Sequence, residues 1–225
     1  MERKILSREV IFNGEINEVV SMKVGFILEC RPCGPDASVY KYVAEKLCSS
    51  LVIEKPQTMV NKPRLMEEGP VVAQTLLESG CEYVFIIWDK KPRWNDPLGN
   101  CYTDREALTH SLTLLEVDIT KVFLCCIDQM LESWLIADSR GFMSWIRSKT
   151  NHVLPEIDDH KTSAKQASPK ERIKAYLENH YNKWKYNDYE DNIEIVKRLP
   201  DFNRAARWNT SFSFFKESIE EICPN

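Results

Sequence analysis

Apolar residues in this chain fall into short unbroken runs, separated by stretches in which they recur every three or four positions. "KVGFIL" (23–28), "LVIE" (51–54), "EYVFIIWD" (82–89) and "KVFLCCI" (121–127) are the runs. A segment that is apolar at successive positions has no solvent-facing side, so these read as strands buried on both faces of a parallel sheet. Between them, Val39, Tyr40, Val43, Ala44 and Leu47 repeat at helical spacing behind Asp36, a residue able to cap a helix. Pro70 is expected to open a second helix that carries Val71, Val72, Leu76 and Leu77 and closes at Gly80. A third helix is expected over 104–115, and one rich in large apolar groups after the fourth run. Strand alternating with helix predicts right-handed crossovers, helices on both faces and strands that all point one way.

The pattern changes in the second half. Residues 151–170 are polar and read as a linker or loop. Pro169 then opens a helix with Ile173, Tyr176 and Leu177 on one side, and further helices are expected over 190–199 and 213–222. The expected organisation is an unassigned N-terminal segment (1–21), an α/β domain (22–150), and a loop with a helical appendage packed on it (151–225). With 225 residues, 43% apolar and 28% charged, the chain can bury one sizeable core and reads as globular.

Charge and cysteine narrow the setting. A net charge of -4 argues against nucleic-acid binding by bulk attraction alone and leaves open a local basic patch or a basic partner. No apolar run approaches the roughly 18 residues of a membrane span. The first 20 residues lack the basic start and apolar middle of a signal peptide. A cytoplasmic protein is therefore expected, with its eight cysteines as reduced thiols and the adjacent Cys125 and Cys126 as small core residues.

Parallel strands bring Glu29, Asp89 and the segment from Asp128 to one sheet edge, the carboxyl edge at which open α/β sheets bind ligands. Glu29, Asp89 and Glu132 then make a candidate site for Mg²⁺ or Mn²⁺, ions that take oxygen ligands. Glu132 lies in "DQMLESWLIAD", where Met130, Leu131, Trp134 and Leu135 can bury a helix face; an exposed acid near a helix N-terminus is its rival explanation. Asp36 and Asp128 are equally explained as N-caps. In "DKKPRWND", Lys90, Lys91 and Arg93 suit phosphate contact and Trp94 suits base stacking, although short basic loops are commonly just solvated. "HYNKWKYNDY" offers Lys183 and Lys185 among aromatics, with core packing as an equal account. Cys30 and Cys33 have the spacing of a thiol redox pair, but "GPD" separates them from the helix start whose dipole would activate a thiol. No second Cys or His pair completes a zinc site, and no "GxxxxGK[ST]" phosphate loop occurs.

The series "VGFILEC…GPDASVYKYVAEKL", "EYVFIIWD" and "VFLCCIDQMLESWLIAD" resembles the TOPRIM domains of small bacterial proteins related to overcoming-lysogenization-defect (OLD) nucleases, over about residues 22–145. "ESW" is the more specific marker of this subgroup, and "ASPKERI" and "NTSFSFFKESI" resemble its closing segments. The resemblance implies a Rossmann-like, TOPRIM-type sheet and a Mg²⁺-dependent phosphodiesterase, with Glu29 and Asp89 as metal ligands and catalytic residues. Lys91 stands where TOPRIM domains carry the second acid of Asp-x-Asp, so Glu132 or Asp96 must complete the site, or else the fold persists without the reaction. In the first case Lys90, Lys91 or Arg93 is expected to stabilise charge on the phosphate. The resemblance also implies an ABC-type or AAA-type ATPase partner, assembly into a hetero-oligomer, and a setting in bacterial antiphage defence with DNA or RNA as substrate. A catalytically silent subunit that regulates such an ATPase is the alternative.

Overall fold

The computed structural model describes residues 21–32, 34–91, 100–157, 160–165, 167–181 and 185–224. Five strands form one sheet: β1 (Met22–Leu28), β2 (Leu51–Ile53), β3 (Gln57–Thr58), β4 (Tyr83–Asp89) and β5 (Val122–Ile127). Every pairing is parallel, as the doubly apolar runs require. The order is β2-β1-β4-β5, and β3 pairs the far end of β1 on the β2 side. β2 and β3 are thus two pieces of one edge strand. Pro56 lies in the gap between them and has no N–H for a ladder.

The strands alternate between two cores. Val24, Phe26, Leu28, Phe85, Ile87, Cys125 and Ile127 face one cluster, while Ile27, Val84, Ile86, Trp88 and Cys126 face the other. The second face is covered by α2 (Lys62–Glu78) and α3 (Cys101–Leu114). At Gly25, a Cβ would come within 2.8 Å of Leu76 Cδ1, so the glycine lets α2 lie close on β1. The first face is covered by α1 (Pro35–Leu47), α4 (Glu132–Leu135), α5 (Ser139–Thr150), α6 (Pro169–His180), α7 (Asp188–Val196), α8 (Phe202–Trp208) and α9 (Thr210–Ile222). Ile173, Tyr176, Phe212 and Phe215 of the last helices sit in the same core as the sheet residues Phe26 and Phe85.

Several expectations need correction. Pro70 lies inside α2 and does not open it. The helix starts two turns earlier, where the Asn61 side chain accepts from the Arg64 N–H at 3.0 Å and Pro63 fills the first turn. Its end at Gly80 is as expected: Gly80 has φ +95°, and the Gly80 and Cys81 N–H groups return to the Leu77 and Leu76 carbonyls. Asp36 does not cap α1, since Gly34 holds that position and Pro35 the next. The helix expected after the fourth strand is two, α4 and α5, parted at Asp138, whose carboxylate accepts from the Arg140 N–H. Asp128 does cap a helix, but a distant one. Its carboxylate accepts from the Thr210 hydroxyl at 2.8 Å and the Ser211 N–H at 3.0 Å, at the start of α9.

The cysteines also differ from expectation. Cys48 is bonded to Cys223 and Cys101 to Cys126, with Cα–Cα distances of 5.7 and 5.6 Å. The first bond joins the ends of α1 and α9, and the second ties the start of α3 to β5. Cys126 is therefore more than a small core residue, and the cysteine argument for a reducing compartment lapses. Among the described residues Cys30, Cys81 and Cys125 are free. No helix of the described residues is long and apolar enough to cross a membrane.

Candidate metal centre

Strand order decides where the centre lies. From β1 the chain leaves through α1 on one face of the sheet, and from β4 it leaves through α3 on the other. β1 and β4 are neighbours, so the crevice beyond their carboxyl ends is the topological switch point at which such sheets bind ligands. Glu29 follows β1 and Asp89 ends β4. The Asp89 backbone N–H donates to Glu29 Oε2 at 2.9 Å, so two acids 60 positions apart meet. A cavity of about 70 Å³ opens here, lined by Glu29, Cys30, Asp36, Tyr40 and Asp89. A larger cavity, about 310 Å³ and bordered by Arg140, Met143 and Arg147, lies elsewhere. It brings no acids of this cluster, and its Arg140 is already committed to Asp138.

One more acid lines the crevice, and another acts on it from outside the lining. Asp36, from the first turn of α1, lines the cavity, and Glu132, buried at 5% exposure, begins α4. Burial raises the Asp89 carboxyl well above the usual range, and the charges of Asp36, Glu29 and Glu132 push it further. Asp36 is raised to about 7, first by burial and then by Glu132, Asp188 and Glu29. Glu132 is raised too, chiefly by burial. The Tyr186 hydroxyl lies 3.4 Å from Glu132 Oε1 and also meets Asn192 Oδ1, so its single proton serves one acceptor or is shared between the two. Lys170, near the start of α6, pairs with Asp188 of α7 at 2.5 Å. Burial opposes its charge, but Asp188, Glu132 and Asp36 raise its pKa on balance.

Carboxylates forced together and out of water are what a hard cation relieves, so the donor set fits Mg²⁺. Among the described residues, no group of three His, Cys, Asp or Glu side chains is set to hold an ion as it stands. A stability consequence follows without metal. Asp36 is protonated in the folded chain up to about pH 7 but ionises near pH 4 when unfolded, so folding binds a proton between those values and stability falls as pH rises through that window. The expected result is a lower melting temperature at pH 8 than at pH 6 in a chelator, with Mn²⁺ removing most of the difference. A flat profile would contradict the cluster's electrostatics.

The basic loop fares differently from the acids. The Lys91 ammonium donates to the Ala167 carbonyl at 3.4 Å and its backbone N–H to the Gln129 carbonyl, so it points along the rim and not at the acids. The Lys90 N–H donates to the Ile127 carbonyl, which extends the ladder past Asp89. Gln129 is held in the left-handed region, φ +64°, at the same rim. Arg93, Trp94, Asp96, Cys33 and Lys183 lie outside the described residues. The Cys30 thiol is pushed up to about 12 by burial and then by Asp36, the reverse of what a redox nucleophile needs.

Lys170, Asp188, Tyr186 and Asn192 were given no role from sequence. One signal was available for Lys170: a cation in the first turn of a helix opposes the helix dipole, and such local conflicts gather at functional sites. The motif segments also meet in space. Ser133 and Trp134 of "ESW" bond Asn209 and Ser211 of "NTSFSF", at 3.0 and 2.9 Å, which fixes the backbone that carries Glu132. Comparison with protein-family models, with curated proteins and with solved structures returns no match.

Proposed function

We propose that this protein is a Mg²⁺- or Mn²⁺-dependent phosphodiesterase acting on nucleic acid, with the TOPRIM-type arrangement that its motifs resemble. What carries the reading is the meeting of Glu29 and Asp89 at the switch point, where the Asp89 N–H orients the Glu29 carboxylate. In this reading Glu29 and Asp89 hold the ion, and Asp36 and Glu132 lend negative charge behind them. A bound Mg²⁺ supplies Lewis-acid polarisation of a phosphoryl oxygen and makes water more acidic. The chain's own residues do the rest. Tyr186 and Asn192 hold Glu132, and the Leu131 N–H favours the ionised form of Asp89. Lys170 favours the charged forms of Asp36 and Glu132 and so balances part of their charge. Lys90, Arg93 and Trp94 are assigned to strand binding on their residue types alone.

An ATPase partner of the ABC or AAA type, and a role as effector in antiphage defence, belong to this proposal through the motif resemblance and through the lack of a phosphate-binding loop in the sequence. The silent-subunit alternative has one observation in its favour, Lys91 in place of an acid. A single experiment separates the two: a panel of single- and double-stranded DNA, tRNA and mixed RNA is incubated with the purified chain, alone and with a candidate ATPase, in Mn²⁺ or EDTA. Cleavage that requires metal is expected with at least one substrate. Metal-independent behaviour throughout the panel would leave a binding subunit.

A further inference from the structure

We infer that a cavity at the outer end of β5 takes one nucleotide of a nucleic-acid strand, with a phosphate on Arg105 and a base against Phe214; the inference deepens the nucleic-acid reading above and rests on it. Among the described strands, β5 ends the sheet. α3 packs on one face of the sheet and α9 on the other. Between them opens a cavity of about 220 Å³, lined by Cys101 and Arg105 of α3, Cys126 and Asp128 at and just past the end of β5, and Thr210 and Phe214 of α9. Asp89 is paired with Ile127, so one strand spacing of about 5 Å separates the candidate metal ligand from the residue before Asp128. A strand with one phosphate at Asp89 reaches this cavity with an adjoining nucleotide. The cavity is smaller than the about 300 Å³ at which sites for whole small molecules begin, and it suits one unit of a longer chain.

The lining supplies a cation with donors to spare. Arg105 Nε donates to the Leu124 carbonyl at 3.1 Å, which fixes the guanidinium, while its terminal nitrogens have no hydrogen-bond partner among the described residues. Two such N–H groups match two oxygens of a phosphate. The Cys101–Cys126 bond holds the first turn of α3 to β5, one turn ahead of Arg105 on the same helix face. The guanidinium lies 5.3 Å from the centre of the Phe214 ring, and Phe214 is 39% exposed, so part of an aromatic surface stays open beside the charge. Aromatic rings and arginine planes are the surfaces on which unstacked bases lie. One carboxylate shares the cavity, but it is committed to α9. Asp128 Oδ2 accepts from the Thr210 hydroxyl and the Ser211 N–H, where the positive end of the helix offsets its charge.

An arginine that only shields the end of the sheet would leave nucleic acid untouched, and binding separates the two roles. Labelled single-stranded DNA and RNA oligonucleotides are titrated with the full chain and followed by fluorescence anisotropy over a series of salt concentrations, in EDTA and in Ca²⁺, for the wild type and for Arg105→Met, Arg105→Lys and Phe214→Leu. Arg105→Met is expected to weaken binding about tenfold and to lower the slope of log affinity against log salt by about 0.7, the value of one phosphate contact on a single strand; Arg105→Lys keeps the slope. Phe214→Leu is expected to weaken binding about tenfold with the slope unchanged. Phe214→Leu decides alone if Arg105→Met does not melt cooperatively. Unchanged affinity and slope in the folded variants overturn the inference and leave the nuclease reading standing. So does a free mononucleotide that competes as well as the oligonucleotide, since the site then serves a small molecule. A wild-type chain that binds neither DNA nor RNA ends the nucleic-acid reading itself.

Discussion

Asp89→Asn is expected to lose metal-dependent cleavage and, in the absence of metal, to melt at a higher temperature than the wild type. Loss of residues that merely support a metal ligand costs about 10–100-fold, so removal of a ligand should exceed about 100-fold. Stability should move the other way. Asp89 is driven toward its protonated form by burial and by Asp36, Glu29 and Glu132, so its ionisation works against folding as pH rises above the ordinary carboxylate range. Asparagine keeps an oxygen for the Leu131 N–H, and the backbone N–H that orients Glu29 is untouched. For a chain of this size, about 1 kcal/mol of relief raises the melting temperature by about 2–4 °C. Mn²⁺ should raise the melting temperature of the wild type and leave the variant nearly unchanged. A variant that is both less stable and inactive would mean that Asp89 is a structural residue, and the site assignment would fail.

Asp104→Ala should be the most damaging single change away from the crevice. Lys62 and Asp104 are 7% and 6% exposed, their charged atoms 2.5 Å apart, and the same Asp104 oxygen accepts from the Trp88 indole at 3.1 Å. Alanine leaves a buried ammonium and a buried indole N–H without partners. Breaking such a pair costs about 3–5 kcal/mol, whereas replacing both members with apolar groups of similar volume is often neutral. Lys62→Met with Asp104→Leu should therefore recover the part of the loss that comes from the buried ammonium, but not the part from the Trp88 N–H, in a urea or thermal titration. Trp88 adjoins Asp89, so metal affinity should fall with Asp104→Ala and return in part in the double variant. A loss below about 1 kcal/mol in the single variant would show that Lys62 finds water or another acceptor.

These two residues mark the boundary of what a linear reading can reach. "TDREALTH" offers Asp104 as one more acid in the first turn of a helix, where the dipole welcomes negative charge anyway. Its burial depends on α3 lying over α2 and on the register that places Trp88 beside Cys126. The disulfides had the same obstacle. Cys101 and Cys126 are 25 positions apart and Cys48 and Cys223 are 175 apart, and only packing brings either pair together. Pro70 misled for a local reason. A proline usually marks a helix boundary, but here the surrounding packing of Leu65, Ala73 and Leu76 holds the helix through it.

The sequence by itself determined four of the five strands, their common direction and the edge that receives Glu29 and Asp89; the two-residue β3 carries no apolar run and escapes such a reading. Runs that are apolar at every position can be satisfied only inside a sheet covered on both faces, and parallel strands must deliver their carboxyl ends to one side. The sequence also offered Glu132, with an exposed helix acid as its rival; tertiary structure decided between the two readings and added Asp36, Lys170 and Asp188. Asp36, Glu132, Lys170 and Asp188 come from four helices with separate sequence periodicities, and their meeting follows from the packing of α1, α4, α6 and α7 on the sheet. The mutual repulsion of the carboxylates among them exists only once that packing brings them together and draws them partly out of water.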